Sequence, residues 1–289
     1  MKRSAWRPFP YSNEAFRYAG GALKKHWDRL HQGDRETYPG AQYLAKLCEA
    51  NEALLESIPH FDGNYAALSE RVVAAWRLYH AGEFAAATEA GLATGPLGYT
   101  AANKASAIYA HYLEPNKGTK LKLFQEIAGR SELACKLLPD APNAHYLYAN
   151  ALGRYSQCMS VLEALAQGLG TKVKQALERT LKVAPGHAEA HVALGTYHAE
   201  VVSKVGAMLA GLTYGASKEE ALAHFKRALA LHPQSAIARI EFANGLLLLG
   251  ERNLDEATHL YIEASKLEPC DAMEKLDIEF AKSRLEKAH

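Results

Sequence analysis

Apolar residues recur three and four positions apart along most of the chain, and alternating runs of β-branched residues are nearly absent. This spacing places apolar side chains on one face of an α-helix. The first such series spans residues 16–30, and the second spans residues 43–58. Pro39-Gly40 separates them, and proline and glycine together mark a break between helices. The pattern predicts an all-α protein in which residues 1–62 form a helical segment packed on the rest of the chain.

Short segments that end in proline and are followed by a new helix recur between residues 137 and 269. The four segments end at Pro139, Pro185, Pro233 and Pro269. The string Ala-Leu-Gly-x-Tyr occurs at residues 151–155 and again at residues 193–197. Recurrence of one pattern at several places indicates a repeat architecture, in which each unit is one supersecondary element.

The second helices of the repeats carry another shared pattern, of small and aromatic residues. One instance is Ala221, Phe225, Ala228 and Pro233, and the other is Ala257, Tyr261, Ala264 and Pro269. Small residues allow helices to approach closely, and large ones fill the space between them. Both patterns are typical of tetratricopeptide (TPR) repeats, in which glycine after leucine lets the partner helix approach.

These observations predict a TPR-like helical-hairpin solenoid over residues 63–270. Residues 271–289 are predicted to form a capping helix, because the last repeat of a solenoid has no neighbour to cover its apolar face. Asp271 lies three residues before Glu274 at the start of this segment, a spacing that resembles a capping box.

Two of the repeats are longer than a usual TPR and carry apolar, glycine-containing inserts at residues 159–170 and 201–215. Both fall at the same point of consecutive hairpins, so stacking is expected to bring them together. The apolar positions of interest are Leu162, Leu165, Val205, Met208 and Leu212. Two interpretations remain open: longer helices that pack on one another, or an exposed apolar patch or pocket that receives a ligand or partner.

Charge and composition exclude several classes of function. Lys plus Arg number 33 and Asp plus Glu number 32, so no strong basic field exists to bind nucleic acid. No window approaches the length of apolar sequence needed for a membrane span, and the first residues lack the apolar core of a signal peptide. The four cysteines are widely spaced. We therefore expect a cytoplasmic protein without disulfides.

No catalytic, cofactor or metal site is predicted. His187, His191 and His198 lie close together in sequence, but no His-Glu-x-x-His motif and no cysteine cluster supports a metal site. Residues 168–172 contain Gly-Leu-Gly-Thr-Lys, which lacks the order of a phosphate-binding loop. A non-enzymatic protein is therefore expected.

In a TPR array the inner face of each first helix lines a groove. Projecting that frame onto this chain gives a set of candidate groove residues: Trp76, Tyr79, Asn103, Asn150, Arg154, Thr196, Glu200 and Asn244. The alternative interpretation is that several of them pack against the N-terminal helices. The Lys and Asn pattern with which chaperone-binding TPRs hold a peptide carboxylate is absent at these positions.

The long inserts after Ala-Leu-Gly-x-Tyr, followed by Glu219-Glu220-Ala221-Leu222 and Phe225, resemble the TPR-like domain of the regulator of microtubule dynamics family. They are equally similar to uncharacterised bacterial TPR proteins related to it. The resemblance covers roughly the last two thirds of the chain and implies an all-helical fold with a binding role. It does not imply microtubule binding here.

The leading interpretation is a protein- or peptide-binding scaffold that uses the concave face of the array. The alternative is a carrier of a small apolar ligand in a cavity between the two inserts. The partner's identity and the oligomeric state are not predicted.

Overall fold

The computed structural model describes residues 5–250 and 253–286, and the side chains of Val161, Leu162 and Leu165 lie outside the described residues. Within those ranges every regular element is helical and no strand occurs, which confirms the all-α prediction. The α-helices are α1 (Ala22–Leu30), α2 (Ala41–Glu49), α3 (Glu52–Glu56), α4 (Tyr65–His80), α5 (Phe84–Leu92), α6 (Tyr99–Ile108), α7 (Lys117–Leu137), α8 (Pro142–Ser156), α9 (Val161–Ala166), α10 (Leu169–Val183), α11 (Ala188–Val205), α12 (Ala207–Leu209), α13 (Lys218–Leu231), α14 (Ala236–Leu248), α15 (Leu254–Ser265) and α16 (Ala272–Glu286).

The chain divides into two compact units. Unit 1 comprises Met1–Leu30 and Glu36–Cys158, and unit 2 comprises His31–Arg35 and Met159–His289. This division differs from the boundaries at residues 62 and 270 expected from the sequence, which stay a prediction. The short segment of residues 31–35 belongs to unit 2 because the Gly33 carbonyl accepts a hydrogen bond from the Glu189 N–H.

In unit 1 the N-terminal segment packs directly on the first helical hairpin. Trp27 of α1 meets Trp76 of α4 edge to face, with 5.6 Å between ring centroids. Trp6 stacks on Tyr109 at 3.9 Å. The Asn13 amide donates to the Ala81 carbonyl. These contacts place aromatic rings of the N-terminal segment in one core with those of α4 and the end of α6. Aromatic pairs of this kind stabilise a core beyond the effect of the apolar area that they bury.

In unit 2 one aromatic residue forms the centre of the helical packing. Phe225 of α13 is fully buried and stacks on Phe242 of α14, with centroids 5.1 Å apart. A β-carbon built at Gly195 would lie 2.7 Å from the Phe225 ring, and one at Gly245 would lie 2.5 Å from it. The glycine of the Ala-Leu-Gly-x-Tyr string at residues 193–197 therefore permits the close approach that the repeat pattern predicts.

The C-terminal helix α16 begins at a cap of the expected kind. The Asp271 carboxylate accepts from the Glu274 N–H at 2.8 Å, and the Glu274 carboxylate accepts from the Cys270 N–H at 2.8 Å. Leu276 and Ile278 are buried, and Phe280 packs against the core of unit 2. The helix thus covers α14 and α15, as a terminal helix of a repeat array must.

Candidate functional site

Trp76 and Tyr79, predicted to line the groove, are core residues of unit 1. Each is about 1% exposed. Trp76 contacts Trp27, and Tyr79 meets Phe84 with centroids 6.2 Å apart. The groove assignment of these two residues is therefore corrected, because the N-terminal segment covers the face of α4 that the repeat frame leaves open.

Asn103 is likewise buried and serves as an internal polar anchor. Its amide donates to Ser131 Oγ at 3.1 Å and its carbonyl accepts from Arg130 Nε at 2.7 Å. Buried polar groups are stable when they are paired in this way. Asn103 therefore does not face solvent, and its assignment to the groove is also corrected.

Asn150 and Arg154 of α8 remain partly exposed. Helix α6 continues into a π-helical turn, Tyr109–Leu113, which carries His111. The Lys120 ammonium at the start of α7 donates to the His111 carbonyl at 3.3 Å. Burial lowers the pKa of His111 well below its ordinary value, and the positive charges of Arg154 and Lys120 lower it further.

The positive charges of Arg154 and Lys120 beside His111 give unit 1 a partly exposed, electropositive site. Arg154 was a candidate groove residue from the sequence, but Lys120 and His111 were not. Their contribution depends on the π-helical turn, which redirects the end of α6. A π-turn of this kind is frequent at functional sites and carries no simple sequence signal.

The three candidate residues of unit 2 differ in their surroundings. Asn244 of α14 accepts from the Tyr261 hydroxyl at 2.5 Å and donates to the Glu241 carboxylate at 3.3 Å. Glu200 accepts from Lys204 one turn later at 2.9 Å. Thr196 Oγ1 is buried and has no hydrogen-bond partner among the described residues. Asn244 is thus engaged in an internal network, whereas Glu200 forms a surface pair.

The second insert forms an exposed apolar tip, defined as Met208, Leu209 and Leu212. Met208 is 80% exposed and Leu212 is 82% exposed. Val205, at the end of α11, is partly buried. Gly206 precedes the tip and Gly215 follows it, and both adopt positive φ angles. Glycine adopts such angles without strain, so the chain can turn at both points.

The two inserts adjoin as expected, because a β-carbon built at Gly170 would lie 3.9 Å from the Tyr214 ring. The candidate residues Leu162 and Leu165 of the first insert lie outside the described side chains, so their part in the patch stays a prediction. For Met208 and Leu212 the exposure favours a surface patch over tight helix packing.

The lowered pKa of His111 makes the free energy of unfolding depend on pH. Its folded pKa is lowered, so the unfolded chain binds the proton more readily and stability falls as pH drops below about 6.5, the ordinary histidine value. We expect His111→Gln to unfold with a smaller loss of stability between neutral and acidic pH than the parent. Thermal unfolding across that window measures it, with the exposed His259→Gln as control. Identical pH profiles for parent and His111→Gln would contradict the assignment.

Comparison with known proteins places the chain in a family. Residues 100–288 match the model of regulator of microtubule dynamics protein 1-3, which is more than half of the chain. The chain belongs to the regulator of microtubule dynamics family. The matched region of this family covers α6 to α16 and so includes the electropositive site and the apolar tip.

The crystal structure of a thermophilic TPR protein from Thermus thermophilus is similar to this member of the family, with a TM-score of 0.54 and 18% sequence identity. The match covers 75% of this chain and 99% of the other. It confirms the TPR-like fold. No curated protein matches the sequence.

None of the helices described between residues 5 and 286 has the length and apolar content needed to cross a membrane.

Proposed function

We propose that this member of the regulator of microtubule dynamics family is a non-enzymatic scaffold that binds a protein or peptide. The observation that carries the proposal is the positive charge of Arg154 and Lys120 beside His111, with Arg154 at a position that the repeat frame assigns to the groove. Such a site suits a ligand that carries a negative charge.

The partner chemistry follows from the side chains available. An arginine guanidinium pairs with a carboxylate through two parallel N–H groups, and a nearby ammonium adds charge without fixing geometry. Arg154 contacts Gln157 at 3.3 Å, and a ligand carboxylate is a stronger acceptor than this neutral amide. An extended peptide with an acidic side chain is the ligand that this arrangement supports best.

Reversal of the charge at Arg154 tests the proposal. Peptides selected on the full-length protein from a random display library are expected to be acidic. Arg154→Glu is expected to weaken their binding by about tenfold or more, because a charge-assisted hydrogen bond contributes about 1.5–3 kcal/mol. Fluorescence anisotropy with a labelled selected peptide measures the affinity.

The matched control is Lys136→Glu on α7, also a charge reversal. The Lys136 side chain is well exposed, and its ammonium lies 3.6 Å from the Glu132 carboxylate on the same helix. It is expected to leave affinity unchanged. An equal loss of affinity in both variants would show that only the overall charge matters. Unchanged affinity in Arg154→Glu would contradict a peptide site in unit 1.

The exposed apolar tip favours a second candidate function, a carrier of a small apolar ligand. Met208 and Leu212 present more apolar surface than a solvated loop needs. Met suits an adaptable contact because its side chain is flexible and polarisable. Native mass spectrometry of the purified full-length protein separates the two functions: a co-purifying small molecule supports the carrier, and its absence with retained peptide binding supports the scaffold.

A further inference from the structure

Three histidines and a glutamate converge on one side of the α11–α13 hairpin of unit 2. His191 and His198 lie two turns apart on α11, and His224 lies on α13 with Glu220 one turn before it. The ring of His198 stacks on that of His224, with centroids 5.7 Å apart and planes 17° from parallel. The sequence analysis considered His187, His191 and His198 but not His224, because the insert between the helices separates His224 from them in sequence.

The potential ligand atoms of this cluster lie close enough to share one ion. Those of His198, Glu220 and His224 all lie within 4.8 Å of one another. Two nitrogens on a tetrahedral zinc ion are roughly 3.3 Å apart, given bonds of about 2.0 Å. Closing the cluster therefore requires the ligand atoms to approach by up to about 1.5 Å. The exposed Glu220 side chain can supply its part by a change of rotamer, and the two histidines must supply theirs.

His191 is placed to orient one of these ligands. Its Nδ1 lies 2.8 Å from His224 Nδ1, so one ring donates to the other. We assign the proton of this bond to His224 Nδ1, which leaves the lone pair of His224 Nε2 available to an ion. That nitrogen lies 3.9 Å from Glu220 Oε2. Metal-bound histidines commonly donate their other ring N–H in this way.

The bond that His198 makes in the structure can be replaced. His198 Nδ1 accepts from the Ser217 N–H at 3.2 Å. Ser217 is the N-cap of α13 and its hydroxyl accepts from the Glu220 N–H. In a complete capping box the residue at the position of Glu220 accepts the N-cap N–H. One Glu220 oxygen thus offers Ser217 an alternative acceptor when His198 binds an ion, and the other oxygen remains for the ion.

We propose that His198, Glu220 and His224 form a binding site for a zinc-class divalent transition-metal ion, with His191 as the positioning residue behind His224. Imidazole and carboxylate ligands suit Zn²⁺, Ni²⁺ and Cu²⁺. Two histidines and one carboxylate leave a coordination position open to water. The ion joins α11 to α13 at the base of the segment that carries the apolar tip.

Titration of the chelator-treated full-length protein with Zn²⁺, followed by calorimetry at neutral pH, tests the site. One ion per chain is expected. His224→Gln is expected to weaken binding by more than a hundredfold, and His191→Gln by about 10–100-fold, the range for residues that orient a ligand. Added Zn²⁺ is expected to raise the melting temperature of the parent but not of His224→Gln.

His259→Gln is the matched control, because His259 and Glu263 form an exposed His–Glu pair with the same spacing on α15, 3.2 Å apart. It is expected to bind Zn²⁺ as the parent does. If His224→Gln does not fold, Glu220→Gln replaces it, since the Glu220 side chain is exposed. Absence of stoichiometric binding, or binding in His224→Gln and Glu220→Gln as tight as in the parent, overturns the proposal. So does a Co²⁺ spectrum with thiolate charge transfer, which would place the ion on a cysteine.

Discussion

Phe225→Ala is expected to lower the free energy of unfolding by about 3–5 kcal/mol, as large-to-small changes in a packed core do. Phe225 is fully buried, and its ring fills the space between α11 and α14. The neighbouring positions are Gly195 and Gly245, which have no side chains with which to fill the cavity. Chemical denaturation of the full-length protein measures the change.

The control for this substitution is Leu254→Ala on α15, whose side chain is mostly exposed. Removal of an exposed side chain of similar size is expected to change stability by about 0.5 kcal/mol or less. If Phe225→Ala unfolded at the same denaturant concentration as Leu254→Ala, that result would contradict the burial of Phe225 between α11 and α14.

Gly195→Ala is expected to destabilise the protein by about 1–3 kcal/mol, although alanine is the better helix former. Its new β-carbon would lie 2.7 Å from the Phe225 ring, well inside normal contact distance. The ring or a helix must move to admit it. Thermal and chemical unfolding of the single variant measure the cost.

Gly153→Ala is the matched control, because Gly153 has the same position in the Ala-Leu-Gly-x-Tyr string of residues 151–155. No heavy atom beyond the helix and its neighbours in sequence lies within 4 Å of a β-carbon built there. This variant is expected to be stabilised by up to about 0.5–1 kcal/mol, the gain from replacing a glycine inside a helix by alanine. Destabilisation of both variants to the same extent would show that the two glycines have equivalent surroundings, contrary to the structure.

The hairpin architecture could be predicted from the sequence because its signals are local and repeated. The small and aromatic positions around Phe225 specify how α13 packs, and the Asp271 cap specifies where α16 begins. The contrast between Gly195 and Gly153 could not be predicted. The two strings are alike, but only in unit 2 does an aromatic ring face the glycine.

The candidate binding residues were harder to predict because exposure depends on elements remote in sequence. Trp76 fits a groove position in the repeat frame, yet Trp27 from the N-terminal segment covers it. The repeat frame predicts Asn103 to be a polar groove residue, yet it is buried and forms hydrogen bonds with Arg130 and Ser131 of α7. Arg154 stays partly exposed, and the exposure of Met208 favours the surface patch among the two interpretations that the sequence left open.

Hydrogen exchange followed by mass spectrometry tests directly whether unit 1 binds an acidic peptide. With a selected peptide at saturating concentration, we expect slower amide exchange at the π-helical turn Tyr109–Leu113 and in the last turns of α8 around Arg154. Exchange in α15, which lies in unit 2, is expected to be unchanged. Protection confined to other segments, with none at the turn or at the end of α8, would contradict the proposed site.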